Sequence, residues 1–390
     1  MRKNYKLVFY IVTVTFWAAM YSHVSILPGY AESLKATAQM IGIITGSYGF
    51  MQFLLRLPLG ILSDKVQKRK VFITGAMVSS FAAGIVMFLT PSPAGLLLGR
   101  ILCGISACSY VQITILYSSY HEEGKLAKSM GIMVSLMYLS QMLAMLIGGI
   151  VTDSFDVKYT FLLTSLFALV GLVLSFFIYD KPIDREPIKM RELKHVISNK
   201  WLIAASLLAI LCQALSFAKS WSFVPLAAYR YGAAGFMQSV ITVSFTFFSM
   251  LSALVSGKIA GKIGEKRLLA LGFMLHGLGS IVIILWQSVA GLVASQIIAG
   301  LGNGFVFSLL MSLSLQTIPE HRRGSAMGMY QGLYAIGMFA GPFVFGSFAD
   351  KYPLNYGFIA TAVLAFIGFV FVFFLFSTKN SERAHAQAIK

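Results

Sequence analysis

The stretch Gly60-Ile61-Leu62-Ser63-Asp64-Lys65-Val66-Gln67-Lys68-Arg69-Lys70 sets five charged residues between two apolar runs, roughly 40–63 and 70–90. Either run is long enough to cross a hydrocarbon core, which takes roughly 20 apolar residues at a rise of about 1.5 Å each. The stretch therefore reads as a short basic turn joining two membrane spans. The flanking sequence repeats the pattern. Ten further runs follow the same rule, at roughly 7–29, 94–118, 127–153, 158–179, 200–226, 235–257, 267–287, 289–316, 325–349 and 354–377. The breaks between them carry turn chemistry or charge, as in Pro91-Ser92-Pro93 and Pro319-Glu320-His321-Arg322-Arg323-Gly324.

Composition agrees. The chain has 390 residues, 57% hydrophobic and 12% charged, whereas soluble domains carry about 25% charged residues. Its 32 Phe exclude disorder, and the longest polar stretch, 180–199, is too short to fold as a soluble enzyme module. The start, Arg2-Lys3 before an apolar run, mimics a secretory signal. The run is too long for one and no small-residue cleavage site follows, so it counts as the first span. The three Cys lie inside apolar runs and give neither a disulfide framework nor metal-ligand spacing.

The net charge of +17 would suit nucleic acid if it formed a stripe. Its placement points elsewhere. With the N-terminus inside, twenty-four of the 31 Lys and Arg fall in inner segments. Lys35, Lys158, Arg230 and Lys351 fall outside, and Arg56, Arg100 and Lys219 lie within spans. That bias, alternating through twelve spans, follows the positive-inside rule and predicts both termini in the cytoplasm, with the basic loops on an anionic leaflet.

Shifted by 197 residues, the chain matches itself: Leu27-Pro28 meets Val224-Pro225, Met130-Gly131 meets Met327-Gly328, and Asp153 meets Asp350. One gap, placed in the fourth span, sets Arg100 beside Gln296. The expected organisation is an all-α membrane protein with two pseudo-symmetric bundles of six spans, 1–179 and 200–390, joined by a cytoplasmic linker at 180–199. A parallel six-plus-six repeat is the pattern of secondary transporters, whose site lies between the repeats near the midplane.

At this point the chain resembles the major facilitator superfamily. Gly60, Asp64, Lys65 and Arg69 are similar to that family's loop signature after the second span, with Gln67 where a second Gly usually stands. The second copy, starting at Gly257, has Gly261 in place of the acid. Arg100-x-x-Cys103-Gly104 is similar to the family's fourth-span motif, with Cys for Gln, and Gly341-Pro342 resembles the Gly-Pro motif of its antiporters, here in span eleven instead of span five. The resemblance implies that Asp64 faces the start of span eleven when the inner side is closed, and that Lys65 and Arg69 reach acids such as Glu123. These contacts would bias the equilibrium between two access states. It also implies that spans one, four, seven and ten line a central cavity.

Charge within hydrocarbon is costly and usually functional. No Asp or Glu falls at the centre of a span. His23, Arg100 and Lys219 sit in the outer parts of spans one, four and seven, so they are expected to share one level of the cavity beside Gln296. Tyr21, Tyr48, Gln52, Tyr138, Gln213, Asn303, Tyr330, Gln331 and Tyr334 are further polar candidates. Arg56 is expected to snorkel to the adjacent loop, and His276 to be a packing residue. Unbalanced positive charge invites an anion, and Arg suits a carboxylate or phosphate. His23 is the cavity group suited to a proton relay.

The functional expectation is secondary active transport of a small organic solute by alternating access, as proton-linked efflux. Uptake or facilitated diffusion of an organic anion, and lipid flipping, stand as alternatives. No catalytic motif argues for an enzyme: Gly257-Lys258 and Gly261-Lys262 lack phosphate-loop spacing. No cofactor or metal is expected. The expected partners are a small-molecule substrate, membrane lipid and a proton, with no nucleic acid, and the chain is expected to act as a monomer in a bacterial cytoplasmic membrane.

Overall fold

The computed structural model describes residues 5–121, 126–181, 199–318 and 323–388. The described residues are helical throughout, with no strand among them. The first half contains α1 (Tyr5–Tyr21), α2 (Leu27–Ser33), α3 (Ala38–Val66), α4 (Arg69–Leu89), α5 (Pro93–Ala107), α6 (Tyr110–Ser119), α7 (Leu126–Ser154) and α8 (Tyr159–Ser175). The second half contains α9 (Lys200–Leu215), a π-helical stretch (Ser216–Phe223), α10 (Val224–Arg230), α11 (Gly235–Ile263), α12 (Glu265–Leu285), α13 (Val289–Leu315), α14 (Arg323–Ala349) and α15 (Leu354–Ala388). Ten helical stretches have the length and apolarity to cross a membrane, and Tyr5–Tyr21 and Tyr159–Ser175 are shorter apolar helices. Read as spans, α1 with α2, α5 with α6, and α9 through α10 each form one crossing, which gives the twelve-span architecture in two six-helix bundles.

Local chemistry repeats between the halves. Ser92 caps α5 by accepting from the backbone N–H of Gly95 at 3.1 Å, and Ser288 caps α13 by accepting from Gly291 at 3.1 Å. A Ser Oγ in this position satisfies one of the orphan donors at a helix start. Both glycines are required by packing, because a Cβ would overlap the carbonyl oxygens of Thr90 and Trp286. The turns after α3 and α11 also correspond. Gln67 has φ 55° and Gly264 φ 90°, both in the region that favours glycine. The first half spends two residues on this turn, Gln67 and Lys68, and the second only Gly264. The step from 197 to 196 that sets Arg100 beside Gln296 therefore enters at the turn between spans two and three, and the offset returns to 197 between Gly104 and Met130.

The most extensive contacts between the halves are α3 with α14 and α7 with α11, joined by α2 with α10 and by α3 with the π-helical stretch. Their approach is close: a Cβ on Gly42 of α3 would overlap the carbonyl oxygen of Pro342 in α14. Let the near end be where α1 starts, and the far end the opposite one. The polar contacts across the halves gather at the far end. Arg230 donates to Glu32 Oε1 through Nε at 2.9 Å and Nη2 at 2.6 Å. Asp153, closing α7, accepts from the backbone N–H groups of Gly235 and Phe236 at 2.6 and 2.9 Å. Ser25 and Ser239 share a hydrogen bond of 2.8 Å, and Ser222 donates to Thr45 at 2.8 Å.

Candidate functional site

Below this closed far end lies a cavity of about 310 Å³ between the halves, a size usual for small-molecule sites. Equivalent faces of paired helices build it. Tyr48, Gln52 and Arg56 on α3 line one wall, and Phe245, Ser249 and Ala253 on α11 line another at a constant offset of 197 residues. Each set is spaced i, i+4, i+8, so its members stack on one helix face. The pairs Val134 and Gln331, Met137 and Tyr334, and Gln141 and Met338 repeat the offset on α7 and α14, and all six line the cavity. Trp17, Tyr21, Phe217 and Trp221 form its far-end roof. The geometry is two-fold but the chemistry is not. The cationic lining, Arg56 and the adjoining Arg100, comes from the first half, and no Asp or Glu lines the cavity among the described residues.

Arg100 is 4% exposed. Its Nε and Nη1 are buried without a partner. Its guanidinium carbon lies 4.8 Å from the centre of the Tyr48 ring, a cation–π contact that stabilises the charge in part. Tyr48 also stacks on Phe217 at 6.4 Å. Together with Met20, Tyr21, Val24, Leu27, Thr45 and Trp221, these residues line a small recess at the far-end limit of the cavity. Gln52 donates back to the Tyr48 carbonyl at 3.4 Å. Asn303 accepts from Ser216 at 2.8 Å and donates to Ser249 at 3.2 Å, which fixes its amide between the π-helical stretch and α11. Tyr138, Gln213, Tyr330, Gln331 and Tyr334 also line the cavity.

The expected basic trio does not converge. Lys219 is fully buried, and its Nζ donates to the His276 carbonyl at 2.8 Å and to Ser280 Oγ at 3.2 Å, inside the second bundle and away from the cavity. The π-helical stretch explains this. Its i→i+5 bonds put more residues in each turn, so side chains beyond Ser216 are rotated from where α-helical spacing would place them. Gln296, also fully buried, donates to the Ser220 carbonyl at 3.2 Å and joins α13 to that stretch instead of lining the cavity. His23 lies in the break between α1 and α2, with Nδ1 3.0 Å from Thr164 Oγ1 of α8. His276 is buried, as a packing residue would be.

Arg56 corrects the sequence reading in the other direction. It does not snorkel to the loop. It is 5% exposed, lines the cavity, and makes one long bond from Nη1 to Tyr334 Oη at 3.5 Å, with Nε unpaired. The stripe Tyr48-x-x-x-Gln52-x-x-x-Arg56 was the signal that would have placed it, since the first two members were already candidates.

The loop residues form a local cluster. Arg69, 1% exposed, donates to Asp64 Oδ1 at 2.5 Å and to Ser63 Oγ at 2.6 Å. Asp64 is thus held by Arg69 of its own loop in this state. Lys65 is exposed, Gly60 has open space around it, and Glu123 lies outside the described residues. Gly341 packs on the Ala214 backbone of α9, while Pro342 faces Gly42, so this motif seals span eleven against spans seven and two.

The model of the Major Facilitator Superfamily matches residues 9–218 and again 206–389. An uncharacterized MFS-type transporter of Methanocaldococcus jannaschii is 25% identical over 83% of this chain and 85% of its own. The class C tetracycline resistance protein of Escherichia coli is 24% identical over 86% and 87%. Among solved structures, a bacterial homolog of the human lysosomal transporter Spinster, inward-facing and occupied, superposes with a TM-score of 0.79 at 14% identity, over 97% of this chain and 98% of that one.

Proposed function

The chain belongs to the major facilitator superfamily, and from that premise we propose that it exports a small organic solute by alternating access, in exchange for protons, across a bacterial cytoplasmic membrane. The observation that carries the reading is the cavity between pseudo-equivalent helix faces, sealed at the far end by Asp153, Glu32, Arg230 and the serine contacts. The bundles are 1–179 and 200–390, joined by 180–199. With the basic loops in the cytoplasm, the near end faces inward and the cavity takes up cytoplasmic solute. The outward direction follows the likeness to the tetracycline resistance protein. The proton is assigned to His23, whose Nε2 has no partner among the described residues while Thr164 holds Nδ1.

A second reading, uptake or facilitated diffusion of an organic anion, is favoured by the absence, among the described residues, of a cavity carboxylate beside Arg56 and Arg100. One experiment separates the two. Purified protein in proteoliposomes is assayed for flux of a solute panel with and without an imposed pH gradient. Solute movement against its own gradient, driven by inward protons and abolished in His23→Ala, supports the first. Anion flux indifferent to the pH gradient and to His23→Ala supports the second and overturns proton exchange.

A further inference from the structure

We infer that the cargo is an elongated organic dianion with an aromatic body, one anionic group on Arg100 and the other on Arg56. The inference rests on the transport reading but not on its direction. Two guanidiniums are held in a closed environment, 4% and 5% exposed, with three buried N–H-bearing atoms between them that have no partner among the described residues. Burying a cation without a counter-charge is strongly unfavourable. The carboxylates whose side chains are described do not supply one: Glu32, Asp64, Asp153, Asp156, Asp180, Glu265 and Asp350 all sit at helix ends or in turns. A single anionic group would neutralise one arginine and leave the other bare, whereas two would satisfy both.

The spacing sets the shape. Arg100 covers the Tyr48 ring, and Arg56 lies eight residues further along the same helix, about 12 Å by helical rise. The two charges therefore stand one beyond the other along the cavity, the first in the recess at its sealed far end and the second toward the near end. Between them the walls are flat and aromatic. Phe217 stacks on Tyr48, and Trp221 meets Phe245 edge-on at 5.9 Å. Aromatic faces of this kind favour an aromatic body by stacking or edge contact. A carboxylate at either end meets a guanidinium fork that accepts it bidentately, and Tyr334 Oη offers a further donor beside Arg56.

The test uses full-length purified protein and a series of aromatic dicarboxylates from terephthalate to biphenyl dicarboxylate, each with its mono-amide and diamide. Binding is read by calorimetry. The expected result is that at least one diacid binds about tenfold or more tighter than its mono-amide, the diamide not binding detectably. Arg56→Gln and Arg100→Gln should each reduce the diacid-to-mono-amide ratio to about one, because one charge pair is already missing. A second readout guards against misfolding: without ligand, both variants should melt at or above the wild-type temperature, since each removes an unpaired buried cation. Failure of every diacid to bind, equal binding of mono-amide and diacid, or an unchanged ratio in Arg56→Gln overturns the inference. If such a failure accompanies flux of some other organic solute in proteoliposomes, the dianion is wrong and the transport reading stands. If no solute moves, the transport reading falls as well.

Discussion

Asp153→Asn offers a quantitative test of how the far end is held shut. The carboxylate ends α7 and receives two backbone N–H groups at the start of α11, at 2.6 and 2.9 Å. Those donors are orphan groups of a helix N-terminus, where negative charge is favoured by about 0.3–1 kcal/mol. A hydrogen bond to a charged group is worth about 1.5–3 kcal/mol, and the asparagine keeps one acceptor oxygen but loses the charge. Asp153 is exposed, so screening places the loss at the low end, about 1.4 kcal/mol, or tenfold in the ratio of open to closed far ends. Because the contact joins the halves, its loss falls on the closed state alone. Spin labels at Lys158→Cys and Lys351→Cys, exposed positions in far-end turns of the two halves, report that ratio by electron–electron distance measurement. The native cysteines are buried, which limits background labelling. The long-distance population should rise about tenfold in Asp153→Asn and further in Asp153→Ala. Distance distributions unchanged in both variants would show that this carboxylate does not hold the far end closed.

Three further outcomes follow from the packing. Gln67→Gly should raise stability by about 1 kcal/mol in thermal unfolding, because a side chain at φ 55° is relieved of its left-handed strain; an unchanged or lower midpoint would argue against strain in that turn. Gly42→Leu should cost about 1–3 kcal/mol by forcing α3 off the Pro342 carbonyl, whereas Gly60→Leu, with open space around it, should leave the melting temperature within error; similar melting of the two variants would contradict the close approach of α3 and α14. Lys219→Met should keep affinity for cargo within about twofold, since its ammonium is bound inside the second bundle; a large loss of affinity there would return Lys219 to the cavity.

Much of the architecture was legible because membrane solvation is an unforgiving constraint. Apolar length, loop charge and the 197-residue offset each point to twelve spans without any contact being known. Tyr48, Gln52, Tyr138, Gln213, Asn303 and Tyr334 line the cavity, a location for which helix number and depth suffice. What could not be read was rotation. Lys219 has the right helix and depth, but the π-helical stretch turns it into the bundle. Gln296 is spent on the Ser220 carbonyl of the same stretch. Arg56 was discounted for its nearness to a basic loop, although its side chain follows the face set by Tyr48 and Gln52. Asp64 and Arg69 are near in sequence, yet their mutual pairing depends on the turn at Gln67, which the family signature would have filled with glycine.

The central claim is that one cavity is reached from either face in turn. A cysteine at Gln213, a cavity-lining position at mid-depth of span seven, tests it directly when a membrane-impermeant thiol reagent is added to one face of sided vesicles. The account predicts modification from the near face in the otherwise native protein. In Asp153→Ala it predicts modification from the far face too, reversed when Ser25→Cys and Ser239→Cys are joined by a disulfide. Equal modification from the far face with Asp153 intact, or none from that face once Asp153 is removed, would contradict it.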